Sequence, residues 1–154
     1  MIDLTDTYTL ITGAARRVGR AMALATAEAG GNVIVHYRSS QDEAERTRAA
    51  ILALGVDCQL IQADLNDLEQ VETIVTQAAA FGPLYGLINN ASIYKEMSLD
   101  DLTDEALHTN MNLHARAPLF LARDFAHALD GAPGRIINML DWEIERPDGR
   151  RIPY

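Results

Sequence analysis

A chain of 154 residues, 48% apolar and 23% charged, is long enough to bury one sizeable core and too apolar to stay disordered. The net charge of -9 argues against a nucleic-acid-binding surface, and four histidines and one cysteine show no metal-ligand spacing. The stretch Met1–Asp6 carries two acids and no basic region, unlike a secretory signal. No apolar run approaches the ~20 residues of a membrane span, so the expected setting is the cytoplasm.

The first β-former run starts at Tyr8 and ends in Thr12-Gly13. It then crosses a five-residue loop and reaches Gly19 in an Ala-rich helix. Strand, turn and helix in this order open a dinucleotide-binding βαβ unit, with an ordinary βα turn as the alternative. Gly13 makes the sharp exit from the strand. Gly19 lets the helix approach the sheet, and the helix N-terminus turns free N–H groups toward a pyrophosphate. Arg17 stands where the common glycine pattern has its middle glycine.

The first helix is expected from about Val18 to Ala29, with Val18, Met22, Leu24 and Ala25 toward the sheet, and Gly30-Gly31 ends it. Asn32–Tyr37 is a continuous β-branched run, as in a strand covered on both faces. Ser40 and Glu43 read as a capping box for a helix reaching Leu54. Cys58–Gln62 forms a third strand with Cys58 as a buried thiol. The third helix, about Leu68 to Phe81, carries Leu68, Val71, Ile74, Val75 and Ala78 on one face. A fourth strand over Leu84–Ile88 precedes a loop from Asn89 to Leu99. A helical region from Thr103 to Leu129 follows, interrupted at Pro118, and Arg135–Leu140 is the fifth strand.

This alternation predicts one α/β domain over residues 1–154, a Rossmann-type doubly wound parallel sheet of order 3-2-1-4-5 with ligands at the strands' carboxyl ends. The apolar outer edge of strand five leads us to expect a further C-terminal part beyond Tyr154.

After strand two comes His36-Tyr37-Arg38-Ser39-Ser40, with no acid to hold a ribose 2′-hydroxyl. Arg38 and the adjacent hydroxyls suit a 2′-phosphate, which favours NADP(H) over NAD(H). Arg17 adds positive charge there or at the pyrophosphate. After strand three, Asp64-Leu65 either lies beside the adenine, with Asp64 accepting from its amino group, or forms an N-cap or turn. Asn89-Asn90-Ala91-Ser92 lets backbone approach a ribose while Asn side chains tie loops together, with an Asx turn as the alternative.

Through Thr12-Gly13 with Gly19, Asp64, Asn90-Ala91 and the pair Asp141 and Tyr154, the chain resembles the short-chain dehydrogenase/reductase family along essentially its whole length. Within that family it is most similar to the pteridine reductases and bacterial dihydromonapterin reductases. The shared residues are Thr12–Gly19, His36-Tyr37-Arg38-Ser39, Asn90-Ala91-Ser92, and Asp141 followed by Glu145-Arg146. The resemblance implies reduction of a dihydropterin to its tetrahydro form by NADPH. It implies cofactor contacts from Gly13, Arg16, Arg17, Val18, Gly19, Tyr37, Arg38, Ser39, Asp64, Leu65, Asn90, Ala91 and Ser92. For the substrate it implies contacts from Arg17, Ser92, Tyr94, Asp141 and Tyr154, with Trp142 as a wall or simple packing.

Catalysis is implied for Asp141, which replaces the family's Ser, and for Tyr154, 13 residues later. His114 takes the slot of the family's relay Asn, with Asn112 nearby and a backbone-satisfied helix His as the other reading. The family Lys falls beyond Tyr154, so efficient turnover is not expected of this chain alone. The resemblance also implies a homo-oligomer when full length. Two other functions compete: a carbonyl reductase, and a non-catalytic NADP(H)-binding module if the natural chain ends at Tyr154.

Overall fold

In the computed structural model, which describes residues 3–141, the β-branched runs become strands and the amphipathic runs become helices. The order is β1 (Tyr8–Ile11), α1 (Arg17–Glu28), β2 (Asn32–Tyr37), α2 (Gln41–Leu52), β3 (Cys58–Gln62), α3 (Leu68–Ala79) and β4 (Leu84–Asn89). Then come α4 (Asp104–Met111), a π turn (Asn112–Arg116), α5 (Ala117–Leu129) and β5 (Arg135–Asn138). The strands form one parallel sheet of order β3-β2-β1-β4-β5, the order expected from the alternation of elements.

Alternate residues along each strand feed two cores. Leu10, Ile34, Ile61 and Leu87 pack with Val71, Ile74 and Val75 of α3 and with Leu121 and Phe125 of α5. Ile11, Val33, Val35, Cys58 and Ile88 pack with Ala23 and Ala27 of α1 and Ile51 of α2. The α3 face is the expected one, with Val71, Ile74, Val75 and Ala78 buried. Cys58 is buried, and burial pushes its thiol up to about 12.

Four details depart from the sequence reading. The buried face of α1 against the sheet is Gly19, Ala23 and Ala27, with the expected Met22 and Leu24 packed partly buried at its side, whereas Val18 is 58% exposed and Ala25 is also exposed. The helix sits so close to β1 that only small residues fit beneath it. Ser40 makes no side-chain cap bond at the start of α2, so the expected capping box does not form. The irregularity near Pro118 is the π turn before it, and Pro118 occupies the first turn of α5, where the helix continues from the π turn. Strand β5 ends at Asn138, short of Leu140, and leaves Ile136 and Ile137 partly exposed at the sheet edge.

At the amino end of the sheet, the Tyr8 hydroxyl donates to the Asp57 carboxylate. Asp57 also accepts from its neighbour Cys58 N–H at 2.7 Å and from the Gln59 amide at 2.9 Å. The Asp57 N–H in turn donates to Asn32 Oδ1 at 2.8 Å. Burial and the adjoining carboxylate push the Tyr8 phenol up to about 12, and the Tyr8 bond holds Asp57 below the usual carboxylate range.

Candidate active site

The carboxyl ends of β1, β2, β3 and β4 open into a cleft of about 520 Å³. Its shape is set by side chains bonded to backbone. The Thr12 hydroxyl accepts from Asn90 N–H at 2.9 Å and Ala91 N–H at 3.0 Å. The Asn90 amide donates back to Thr12 O at 2.8 Å and Gly13 O at 3.3 Å. The loops after β1 and β4 are thereby locked together, as the sequence reading expected of the Asn side chains.

Glycine is needed at that lock. A Cβ at Gly19 would stand 2.4 Å from Gly13 O and 2.6 Å from Asn90 Nδ2. Gly13 has φ +65, and a Cβ there would meet Ala91 Cα at 3.0 Å. Arg17 also has a left-handed backbone, φ 54, which costs a non-glycine residue on the order of 1 kcal/mol or more. Such strain at the tip of a ligand loop is a functional signal, because a glycine would relieve it.

The start of α1 is built for an anion. It has no side-chain cap and no acid in its first turn. By contrast, α3 and α4 are capped by Asp67 and Thr103 and carry acids in their first turns. Its free N–H groups and the positive end of the helix dipole therefore face the cleft uncompensated. Among the described residues, Arg16, Arg17, Arg38 and Lys95 line the cleft against one acid, Asp64, although the chain has 22 acidic and 13 basic residues. This concentration of positive charge, with the glycine cradle, fits a dinucleotide phosphate chain.

Every residue expected to touch the cofactor lines this one cleft: Gly13, Arg16, Arg17, Val18 and Gly19 on the first loop, then Tyr37, Arg38 and Ser39 after β2. Asp64 and Leu65 after β3 and Asn90, Ala91 and Ser92 after β4 complete the set. Val18, displaced from the core, is part of this wall. Asp64 takes the turn role in the structure: its Oδ1 accepts from Asn66 N–H at 2.9 Å, while the N-cap of α3 is Asp67.

Tyr94 and Lys95 extend the cleft beyond Ser92. Behind Ser92 lies His114, on the π turn. Its Nε2 accepts from Ile93 N–H at 3.3 Å and sits 3.2 Å from Ser92 Oγ. Burial lowers the His114 pKa, so the ring is neutral at pH 7. The bond from Ile93 N–H fits the backbone-satisfied reading of this histidine. Asn112 instead faces Arg116, 3.4 Å from its guanidinium, on an exposed part of the turn.

Asp141 is half-buried, three residues past the end of β5. Its approach is fixed by the Asn89 amide donating to Asn138 Oδ1 at 2.8 Å and by Met139 N–H donating to Asn89 O at 2.9 Å. Tyr154, together with Trp142, Glu145 and Arg146, lies outside the described residues.

His36, quoted in the sequence motif without a role of its own, closes the cleft floor. Gly13 N–H donates to His36 Nδ1 at 3.2 Å, and Nε2 donates to Ala63 O at 3.1 Å. Burial lowers its pKa to about 4 against smaller opposing influences from Ala63 O and Asp64. A polar residue ending the fully buried run Val33-Ile34-Val35 was the available signal, because a buried polar ring must be bonded. Thr47 was overlooked; its buried hydroxyl donates to Ala15 O at 2.9 Å and ties α2 to the first loop.

Comparison with known proteins agrees with this geometry. The family model for short chain dehydrogenase matches residues 7–141. The 3-oxoacyl-[acyl-carrier-protein] reductase FabG of Staphylococcus aureus is 36% identical over 129 residues, covering 78% of this chain and 52% of that protein. The short chain dehydrogenase mdpC of Emericella nidulans is 34% identical over 131 residues, covering 84% and 49%. The chain thus spans about half the length of these curated relatives.

Among solved structures, a short chain dehydrogenase from Burkholderia cenocepacia in complex with NADP matches with a TM-score of 0.93 and 35% identity. The match covers 99% of this chain and 63% of that one. FolM alternative dihydrofolate reductase 1 from Brucella canis, complexed with NADP, matches with a TM-score of 0.91 and 30% identity over the same shares.

Proposed function

Because the chain belongs to the short chain dehydrogenase family, we propose that it is an NADPH-dependent reductase of dihydropterins. Arg38 carries the cofactor assignment. It stands exposed at the carboxyl end of β2 beside Ser39 and Ser40, with no carboxylate at the strand tip. A 2′-phosphate gains charge-assisted hydrogen bonds there, while a bare 2′-hydroxyl meets no acidic acceptor. The NADP complexes of the Burkholderia and Brucella proteins support the same choice.

Asp141 carries the substrate assignment, with the Brucella dihydrofolate reductases as support. A carboxyl group at this strand end can accept from a pterin amine, which a carbonyl substrate lacks. NADPH, when bound, supplies the hydride. Gly13, Arg16, Arg17, Val18 and Gly19 hold its phosphates, and Asp64, Leu65, Asn90 and Ala91 flank the adenosine and ribose groups. Arg17 orients the pterin ring or a phosphate. Tyr94 stacks on the ring beside Ser92, and His114 links Ser92 to a proton path. Tyr154, backed by Asp141, donates the proton to the ring nitrogen. Residues 1–154 act as a single NADP-binding domain in the cytoplasm, and a homo-oligomer forms through the exposed apolar residues Leu107, Met111 and Leu119 of the long helical region.

The 36% identity to a 3-oxoacyl reductase favours a second reading, reduction of a carbonyl. NADPH oxidation by the full-length protein that contains this chain, followed with a 7,8-dihydropterin and with a 3-oxoacyl thioester, separates the two. Turnover of the dihydropterin, lost about 100-fold in Asp141→Ala, is expected. Turnover of the thioester alone would overturn the pterin assignment.

A further inference from the structure

His36 joins two elements that face each other across the cleft. Its Nδ1 holds the Gly13 N–H, at the start of the loop into α1, and its Nε2–H holds the Ala63 carbonyl, at the start of the Asp64-Leu65 turn. Its own carbonyl accepts from Ala14 N–H at 3.0 Å, so ring and backbone grip the same loop. The two ring bonds need an acceptor at Nδ1 and a donor at Nε2, which one tautomer of the neutral imidazole provides. The preceding residues Val33, Ile34 and Val35 are fully buried aliphatics. Burying a polar ring after them is costly unless both nitrogens are bonded. The Gly13 N–H is thereby turned into the floor and away from any ligand, and the peptide plane at φ +65 is fixed.

We infer that His36 is a positioning residue for the dinucleotide, its ring fixing the Gly13 peptide at the phosphate end of the cleft. The bond to Ala63 O seats the ring from the other side, against the turn that carries Asp64. The inference rests on the nucleotide reading of the cleft and is independent of the substrate.

The test uses the full chain, titrated with NADPH and with adenosine 2′,5′-bisphosphate, alongside thermal melts. His36→Phe removes both bonds and is expected to weaken both probes about ten-fold or more. His36→Asn places an amide oxygen near the position of Nδ1, regains the Gly13 bond and recovers affinity to within about three-fold of the parent. His36→Gln places its amide nitrogen near Nε2, keeps Ala63 but releases Gly13, and binds nearly as weakly as the Phe variant.

A merely structural role would lower the melting temperature of all three without that ranking of affinities. Parent-like affinity in every variant, or loss that follows Tm with no rescue by Asn, would overturn the inference. If the Phe variant does not fold, the Asn and Gln variants decide it between them. Failure of the parent chain to bind either probe would overturn the nucleotide reading together with this inference.

Discussion

At the amino end of the sheet, Tyr8 and Gln59 converge on the carboxylate of Asp57. At the carboxyl end, Thr12, His36, Thr47 and Asn90 spend their polar atoms on main-chain groups of the loops. Side chains bonded to one another staple strands together. Side chains bonded to loop backbone fix the path of the loops and leave Arg16, Arg17 and Arg38 on the cleft wall. The same sheet therefore has a stapled end concerned with stability and a scaffolded end concerned with ligand.

Substitutions at the two ends should separate affinity from stability. The largest effect is expected from Gly19→Val, which drives a branched side chain into Gly13 O and the Asn90 amide. Calorimetric titration should show NADPH affinity lowered by about 1000-fold or more, as both loops must move apart.

Next comes acid. His36 has a folded pKa of about 4, below its unfolded value of 6.5, so the unfolded chain takes up the proton first. Its contribution is complete above pH 6.5 and is lost as pH falls toward 4, amounting to roughly 3 kcal/mol in urea-unfolding experiments. His114, also lowered by burial, adds to the loss with the same sign. At the stapled end the phenol of Tyr8, raised to about 12, contributes fully below pH 10 and its contribution fades as pH rises toward 12, while Asp57, held below the usual carboxylate range, loses its contribution in acid with the same sign as His36.

Tyr8→Phe should cost about 1–2 kcal/mol of unfolding free energy and leave the NADPH dissociation constant unchanged. A shift in that constant would break the division between the two ends. The smallest effect contrasts two helix starts. Asp67 caps α3 through Glu69 N–H at 3.0 Å, and Asp67→Ala should lower the unfolding midpoint measurably. Ser40 caps nothing, and Ser40→Ala should change stability by less than about 0.5 kcal/mol, measured in the same unfolding experiments.

The strand order was legible because the β-branched runs and the breaks at Gly30-Gly31 and Gly82-Pro83 leave one consistent winding. The cleft residues were legible too, because each follows a strand end, which the chirality of parallel sheets brings to one edge. The contacts of α1 were legible only in part, since hydrophobicity put Val18 and Ala25 inward with Met22 and Leu24, whereas the fully buried positions are Gly19, Ala23 and Ala27. Nor was Ser40, whose hydroxyl is in the right place in sequence but whose backbone, at φ -89 and ψ 59, makes no cap bond. The role of His36 escaped notice because its partners Gly13 and Ala63 belong to two other elements, and only the assembled sheet brings them to its ring.

The most direct measurement of the central claim, that the scaffolded end is an NADP(H) site keyed by Arg38, is a titration of NADPH and NADH into the parent chain and into Arg38→Asp. The account predicts that NADPH binds the parent more tightly and that the substitution weakens NADPH about 100-fold while changing NADH by less than about three-fold. Equal losses for the two nucleotides, or no preference in the parent, would contradict it.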